Sequence, residues 1–268
     1  MNLLLIIGGI GDNCTFTSAI SKLNEPVCVM TEWPDIFNNH PNVAAIYKGS
    51  LFRPLAGNNE SFYKSFNKII VCDSINNEKH LKTNSHLCEI AHDFLEVPYD
   101  KNETEYYFSE REKIKAGKFI AKHNNLVLLQ YFSTTHYPNH KIVKSIYPTQ
   151  AQQVVNFLKN DFNCSVLEVS EKPNLSGTVN SDYSANPLIP YRDILCLLQY
   201  SKFFISIDSC LNHFSSNKFN QKKGIVFWGS TNVGKYGYNH NFNYISELPY
   251  AMYFNGDKIE KAILELMK

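Results

Sequence analysis

The chain has 268 residues, enough for one large domain or two of ordinary size, and its 44% hydrophobic and 19% charged residues exclude disorder, collagen and coiled coil. Lys and Arg number 26 against 25 Asp and Glu, a net charge of +1, so no overall field recruits nucleic acid or an anionic membrane and a polyanionic partner has to be met locally. The seven cysteines (14, 28, 72, 88, 164, 196 and 210) are odd in number and form no Cys-x-x-Cys pair, which reads as small core residues in a reducing compartment rather than disulfides or a zinc site.

Leu3 to Ile7 is a continuous apolar run, too short and without the basic flank of a signal peptide, and is expected to be a buried strand. It ends in Gly8-Gly9-Ile10-Gly11-Asp12, after which Cys14 to Leu23 shows helical spacing, giving strand, glycine turn and helix. Further short apolar runs at Val27–Met30, Val43–Tyr47 and Lys68–Cys72 alternate with helical or loop material, the pattern of parallel α/β layers. His86 to Leu95 is amphipathic, and Ser109 with Glu112 opens a helix through Ile120 as a capping box. The pattern breaks at Asn124-Asn125 and restarts with a strand at Leu126–Gln130, a helix from Pro148, a strand at Ser165–Val169 and a helix over Tyr191–Gln199. Strands at Phe203–Ile207 and Gly224–Trp228 follow, and an amphipathic helix over Lys258–Met267 closes the chain. The expected fold class is therefore α/β with two Rossmann-like domains, residues 1–124 and 125–268, facing a cleft at the carboxyl ends of their strands. No apolar run reaches the length of a membrane helix, so a soluble, cytoplasmic protein is expected.

Three loops carry candidate chemistry. The first is Gly8 to Asp12, where glycines permit a tight turn and a carboxylate stands at a helix start, for capping or for chemistry. It does not complete a dinucleotide fingerprint, because Cys14 falls where Gly or Ala belongs and no acid closes the next strand. The second is Gly229-Ser230-Thr231-Asn232-Val233-Gly234-Lys235-Tyr236, nearly a phosphate-binding P-loop. Tyr236, however, replaces the magnesium-holding hydroxyl and Gly237 follows where a helix should begin, which disfavours an NTPase. The third is Asp208-Ser209-Cys210-Leu211-Asn212-His213, where a buried strand runs into a small-residue turn whose N–H groups suit an anion such as a diphosphate. His136 and His140 are four apart, but Pro138 denies them a shared helix face and a metal site is not expected. The run Lys141 to Lys144 with Tyr137 and Tyr147 is no strong nucleic-acid signature in a Tyr-rich chain, and Tyr236 to Tyr244 reads as a surface or sugar-facing loop.

The third loop, within Phe204 to Asn217, resembles the Asp-Thr-Gly-x-x-His segment of glycosyltransferase family 9, the ADP-heptose:lipopolysaccharide heptosyltransferases. Gly11-Asp12 with Thr15, Thr17 and Ala19-Ile20 resembles that family's Gly-Asp loop and first helix. Tyr107 to Glu112 is similar to its interdomain helix start, Lys144-Ser145-Ile146-Tyr147-Pro148 to its Lys-x-Trp-Pro motif, and Val226 to Thr231 to its Leu-Phe-Gly-x-Thr segment. The motifs occur in the family's order along nearly the whole chain. The resemblance implies a GT-B fold and an inverting, metal-independent glycosyltransferase without a cofactor, taking a nucleotide-sugar donor, ADP-linked by preference. Asp12 would be the general base, with Gly11, Asn13 and Thr15 on the acceptor side. Lys144 would meet the departing diphosphate, Asp208 the donor sugar, and Ser209, Cys210, Leu211, His213, Gly229 and Thr231 would complete the donor site. The acceptor is left open among a glycan, a lipid-linked glycan, a protein and a modified nucleic-acid base. Cys210 stands where the family has Gly, and a position needing positive φ would strain it. That departure, and a first domain that looks trimmed between Val43 and Lys68, keep a non-catalytic nucleotide- or sugar-phosphate-binding protein as the alternative.

Overall fold

The short apolar runs at Leu3–Ile7, Val27–Thr31, Val127–Gln130, Phe203–Ile207 and Gly224–Trp228 are buried almost throughout, as parallel strands covered on both faces must be, whereas Val43–Lys48 and Ile69–Asp73 at the edges of their sheet are mostly half-buried or exposed. The computed structural model describes residues 1–49, 60–132, 144–170, 173–179, 190–246 and 256–268. Its contacts divide the chain into one unit of residues 1–109 and 216–219 and a second of residues 110–215 and 220–268.

The first unit runs β1 (Leu3–Ile7), α1 (Ile10–Ser21), β2 (Val27–Thr31), β3 (Val43–Lys48), α2 (Glu60–Lys64), β4 (Ile69–Asp73), α3 (Glu78–Lys82) and α4 (Leu87–Phe94), with a 3-10 turn at Pro34–Phe37. Its four strands lie in the order β3-β2-β1-β4, all parallel. Leu3, Leu5, Cys28 and Met30 form one core layer, against which Tyr47, Phe62 and Phe66 pack. The order reverses direction at β1, which places the glycine loop at a topological switch point, the usual ligand position of such sheets. Residues 216–219 complete this unit: Thr104 N–H donates to the Ser216 carbonyl at 3.1 Å, Lys218 N–H donates to the Thr104 carbonyl at 2.9 Å, and Lys218 Nζ pairs with Glu105 at 2.5 Å.

The second unit runs α5 (Glu110–Ile120), β5 (Val127–Gln130), α6 (Pro148–Phe162), β6 (Val166–Glu168), α7 (Tyr191–Tyr200), β7 (Phe203–Ile207), α8 (Cys210–Phe214), β8 (Gly224–Trp228), α9 (Val233–Tyr236), β9 (Phe242–Ile245) and α10 (Gly256–Met267). Its five parallel strands are ordered β6-β5-β7-β8-β9, so the switch point lies between β5 and β7. Val127, Leu129, Ile205, Ile207 and Phe227 build the core face that α6 and α10 cover. Helix α5, placed by the sequence pattern ahead of a boundary at residue 124, groups instead with this unit. Arg192 Nε donates to Glu112 Oε1 at 2.6 Å and Lys115 meets Asp193 at 2.5 Å, which ties α5 to α7.

The other departure is at the end of the chain. Residues 236–244, read as a loop, contain α9's last turn and the edge strand β9, with Tyr238 and Asn241 buried. The Asn side chains that suggested a loop serve as internal partners. Asn241 Oδ1 accepts from Gly224 N–H and Asn243 Oδ1 accepts from the Trp228 indole at 2.9 Å, so their polarity is consumed inside the fold. All seven cysteines are free and buried, and among the described residues no helix is long and apolar enough to cross a membrane.

Candidate functional site

In the first unit the loop after β1 turns at Gly8, whose φ of +119° is open to glycine and strained for other residues. A Cβ there would stand 2.6 Å from Asp12 Oδ2, so both the backbone and the Asp12 side chain require glycine. Gly9 is the N-cap of α1, and Asp12, in the first turn, returns its carboxylate to Gly9 N–H at 2.7 Å. The capping role anticipated for Asp12 is therefore present, and it fixes one carboxylate oxygen at the carboxyl edge of the sheet. Gly11 is partly exposed beside it. Asn13 and Thr15, expected on the acceptor side, are completely buried and build the loop rather than line it. Asn13 Nδ2 donates to the Gly9 carbonyl at 2.9 Å, Asn13 Oδ1 accepts from Thr31 Oγ1, and Thr15 Oγ1 donates to the Asp12 carbonyl at 2.7 Å. Polar residues in a buried helix start are tolerable because each finds such a partner.

In the second unit the chain brings together residues far apart in sequence. Lys144 Nζ lies 3.0 Å from Asp208 Oδ2, an ion pair without a formed hydrogen bond, at the carboxyl end of the sheet beside the β5/β7 switch point. Asp208 is 5% exposed, and an unpaired buried carboxylate would be costly, a cost the neighbouring Lys144 ammonium offsets. Ser209 follows as the extended N-cap of α8, and Cys210 is the first helical residue. No left-handed backbone occurs there, since the described non-glycine residues with positive φ are Asn39, Glu96, Asn125 and Asn163. The strain expected for Cys210 in a glycine position is absent. Its thiol turns inward to Gln130 Oε1 at 3.6 Å, and burial pushes it up to about 11.

Leu211 N–H, foreseen as part of a phosphate cradle, donates to Gln130 Oε1 at 3.4 Å. His213 is fully buried with Nδ1 3.0 Å from the Tyr238 hydroxyl; burial pushes its imidazole down to about 4, which Asp208 opposes and Lys144 reinforces. It is therefore neutral at physiological pH. Gly229 is partly exposed directly after β8, and Thr231 Oγ1 is buried with no partner among the described residues, as is Ser206 Oγ near the end of β7. The near-P-loop supports only the four-residue helix α9, capped by Asn232 Oδ1 on Gly234 N–H, far from the long helix such a loop serves. His136, His140 and Lys141 lie outside the described residues.

Two residues were missed by the sequence reading. Gln130 ends β5 and its one amide holds the whole α8 entrance, with Nε2 donating to Ser209 Oγ at 3.0 Å while Oε1 receives Leu211 N–H and the Cys210 thiol. The signal available was a lone amide closing an otherwise apolar strand. Trp33 follows β2, partly exposed, and its indole N–H donates to the Gly8 carbonyl at 3.2 Å. Its signal was a tryptophan just past a buried strand.

No protein-family model and no curated protein matches the chain. Solved structures share its fold along nearly the whole length. A glycosyl transferase family 9 protein from Veillonella parvula is 11% identical at a TM-score of 0.74, covering 99% of this chain and 96% of that one. The E. coli heptosyltransferase WaaC with ADP is 11% identical at a TM-score of 0.67, covering 99% of each chain. E. coli ADP-heptose lps heptosyltransferase II is 11% identical at 0.62, covering 99% and 97%. The α/β fold with two parallel sheets is thus the GT-B fold of these heptosyltransferases, the one expected from the ordered motifs.

Proposed function

We propose that the protein is an inverting glycosyltransferase that moves a sugar from a nucleoside-diphosphate donor, ADP-linked by preference, to an acceptor hydroxyl. The observation that carries this reading is the Lys144–Asp208 pair at 3.0 Å beside the β5/β7 switch point, and it is supported by structural neighbours of the same fold solved with ADP and with ADP-2-deoxy-2-fluoro heptose. In this reading the diphosphate competes for Lys144 and opens the ion pair. The freed Asp208 then accepts from sugar hydroxyls while the ammonium takes the charge that grows on the leaving oxygen, a role that requires no metal ion.

Asp12 removes the proton of the acceptor hydroxyl. The acceptor oxygen attacks the anomeric carbon, the bond from that carbon to the phosphate oxygen breaks, and its electron pair leaves with the nucleoside diphosphate, inverting the centre. Asp12 suits this work because Gly9 N–H holds its carboxylate in a fixed direction without neutralising it. His213, neutral and packed on Tyr238, supports the α8 entrance from beneath and carries no charge to the phosphates.

The test begins with thermal shifts against ADP, UDP, GDP and CDP and the corresponding nucleotide sugars in EDTA, since a ligand of the folded state raises its apparent stability. One diphosphate is expected to stabilise the protein and to lose its effect in Lys144→Ala. Donor turnover is then expected to vanish in Asp12→Ala with donor binding retained. No shift with any diphosphate, or full turnover by Asp12→Ala, overturns the assignment.

A further inference from the structure

In the second unit the end of the sheet opposite Lys144 and Asp208 carries a row of lysines. The connections that lead into its strands there are residues 121–126, 163–165, 201–202 and 237–241, with 220–223 ahead of β8, and none of them contains Asp or Glu. They hold Lys122, Lys202, Lys222 and Lys223, and Lys118 stands in the last turn of α5. Strands β5, β7 and β8, which these lysines precede, are adjacent in the sheet, so the charges follow one another along its edge. Backbone contacts fix them there. Lys202 N–H donates to the Leu126 carbonyl at 2.7 Å, Lys222 N–H donates to the Ser215 carbonyl at 2.8 Å, and Lys222 Nζ donates to the Ser201 carbonyl at 2.7 Å. Only Ser201 and Lys202 separate α7 from β7, which leaves the row little slack.

Elsewhere the chain gives its lysines acids: Lys22 meets Asp100, Lys79 meets Asp93, Lys113 meets Glu110 and Lys115 meets Asp193. Among the described residues none of Lys118, Lys122, Lys202, Lys222 and Lys223 is in an ion pair. Lys223 Nζ lies over the Phe242 ring at 4.2 Å, and half-buried Lys222 has its ammonium pushed down by burial and then by Lys202. Asp161 stands beyond the row in the last turn of α6, which leads to the outer strand β6, and Glu265 acts on Tyr244 of the other outer strand, β9. The carboxyl ends of α5 and α7 supply about half a negative charge each, so most of the lysine charge is unanswered. In a chain whose net charge is +1, this is a local field that a polyanionic surface would meet. The row has no arginine, whose planar fork selects discrete phosphates. Tyr200, closing α7 at 45% exposure, is the one exposed aromatic among these described connections and the helix turns before them, whereas a nucleic-acid strand is held on a series of such rings. Lysine stems with a tyrosine among them suit lipid headgroups, where ammonium groups meet phosphates and the phenol sits at the boundary of water and hydrocarbon.

We propose that this edge of the second unit docks on an anionic lipid bilayer through Lys118, Lys122, Lys202, Lys222 and Lys223, with Tyr200 at the headgroup boundary. The Lys144–Asp208 pair stands at the carboxyl end of the same sheet, so docking keeps it away from the lipid and toward the water that carries a nucleotide. The inference stands apart from the glycosyltransferase reading.

The test is co-sedimentation of the full chain with sucrose-loaded vesicles, of phosphatidylcholine alone or of equal parts phosphatidylcholine and phosphatidylglycerol. Binding to the mixed vesicles alone is expected, strong at about 0.02 M salt and lost at about 0.5 M. Lys122→Glu/Lys202→Glu/Lys223→Glu changes exposed side chains only and is expected to weaken binding more than about tenfold with an unchanged thermal midpoint, and Tyr200→Ala to weaken it about threefold. Lys64→Glu/Lys82→Glu/Lys101→Glu makes the same change in net charge elsewhere and is expected to keep binding within about twofold. No sedimentation with the mixed vesicles at low salt, or equal loss in the two triple variants, overturns the docking edge. Tighter binding to a single-stranded oligonucleotide than to the vesicles, abolished by the first triple variant, overturns the lipid partner.

Discussion

Gly8 offers a direct measure of how tightly the loop and its carboxylate are coupled. Gly8→Ala imposes two separate costs. A residue with a Cβ at φ +119° carries backbone strain of about 1–3 kcal/mol. Its Cβ also falls 2.6 Å from Asp12 Oδ2 and 2.8 Å from Asp12 Cβ and Cγ, contacts that only displacement of Asp12 relieves. Displacement breaks the Gly9 N–H to carboxylate bond, a hydrogen bond to a charged group worth about 1.5–3 kcal/mol. The single substitution is therefore expected to destabilise the protein by about 2.5–6 kcal/mol, read from urea unfolding followed by circular dichroism. In an Asp12→Ala background the obstructing carboxylate is gone and only the backbone strain remains. The double-mutant cycle should then show coupling of about 1.5–3 kcal/mol, well above the few tenths expected of independent sites. Additive effects, or a Gly8→Ala cost below about 1 kcal/mol, would refute the coupling of turn and carboxylate.

Gln130→Leu keeps the volume but leaves Leu211 N–H, Ser209 Oγ and the Cys210 thiol without their amide, and a loss of about 1–3 kcal/mol is expected in urea titration; a loss below about 0.5 kcal/mol contradicts the bridge. Cys210→Ala should leave nucleotide affinity within about twofold, because the thiol points into the fold and the backbone is unstrained, and the native Cys210 should resist iodoacetamide until the protein is unfolded. For His213 the folded value of about 4 lies below the ordinary 6.5, so the unfolded chain binds the extra proton between those values. Its contribution is full above about pH 6.5 and is lost as pH falls toward about 4, up to about 3 kcal/mol, with His240 acting in the same direction. His213→Gln should flatten the fall of urea midpoint with acid; an unchanged pH profile sinks the assignment of the loss to this imidazole.

The central strands were legible because a parallel strand covered on both faces writes a short unbroken apolar run. Phe203–Ile207 and Gly224–Trp228 were read to the residue. The loops after β1 and β7 were legible as glycine or small residues following such runs. What escaped depends on partners distant in sequence. Asn241 and Asn243 look like loop residues until Gly224, Trp228 and Asn212 are seen to use their amides, and the edge strand β9 was lost with them. Glu112 fits a capping box by spacing, yet its carboxylate receives Arg192, 80 positions away, which moves α5 into the second unit. Gln130 and Trp33 carried no motif. Each acts through one side chain on another loop's backbone, a relation that periodicity cannot express.

The same distinction bears on why Cys210 is compatible with a ligand site. A glycine at a helix entrance is indispensable where the backbone takes positive φ or where a Cβ would collide, and Gly8 meets both conditions. Cys210 meets neither in its backbone: it opens α8 in a helical conformation, and its side chain finds room beneath the turn because Gln130 offers an acceptor there. The amide that accommodates the thiol also takes Leu211 N–H, leaving fewer backbone donors for a diphosphate than a glycine turn would present. In the donor site we propose, Lys144 would then bear more of the work, since a full charge must supply what the missing dipoles do not. Donor affinity should accordingly fall more steeply with salt than it would at a site built from backbone N–H groups alone, and Lys144→Arg, which keeps the charge, should retain most of it. Donor binding insensitive to both salt and Lys144→Ala would show that the backbone turn, and not the ammonium, holds the diphosphate.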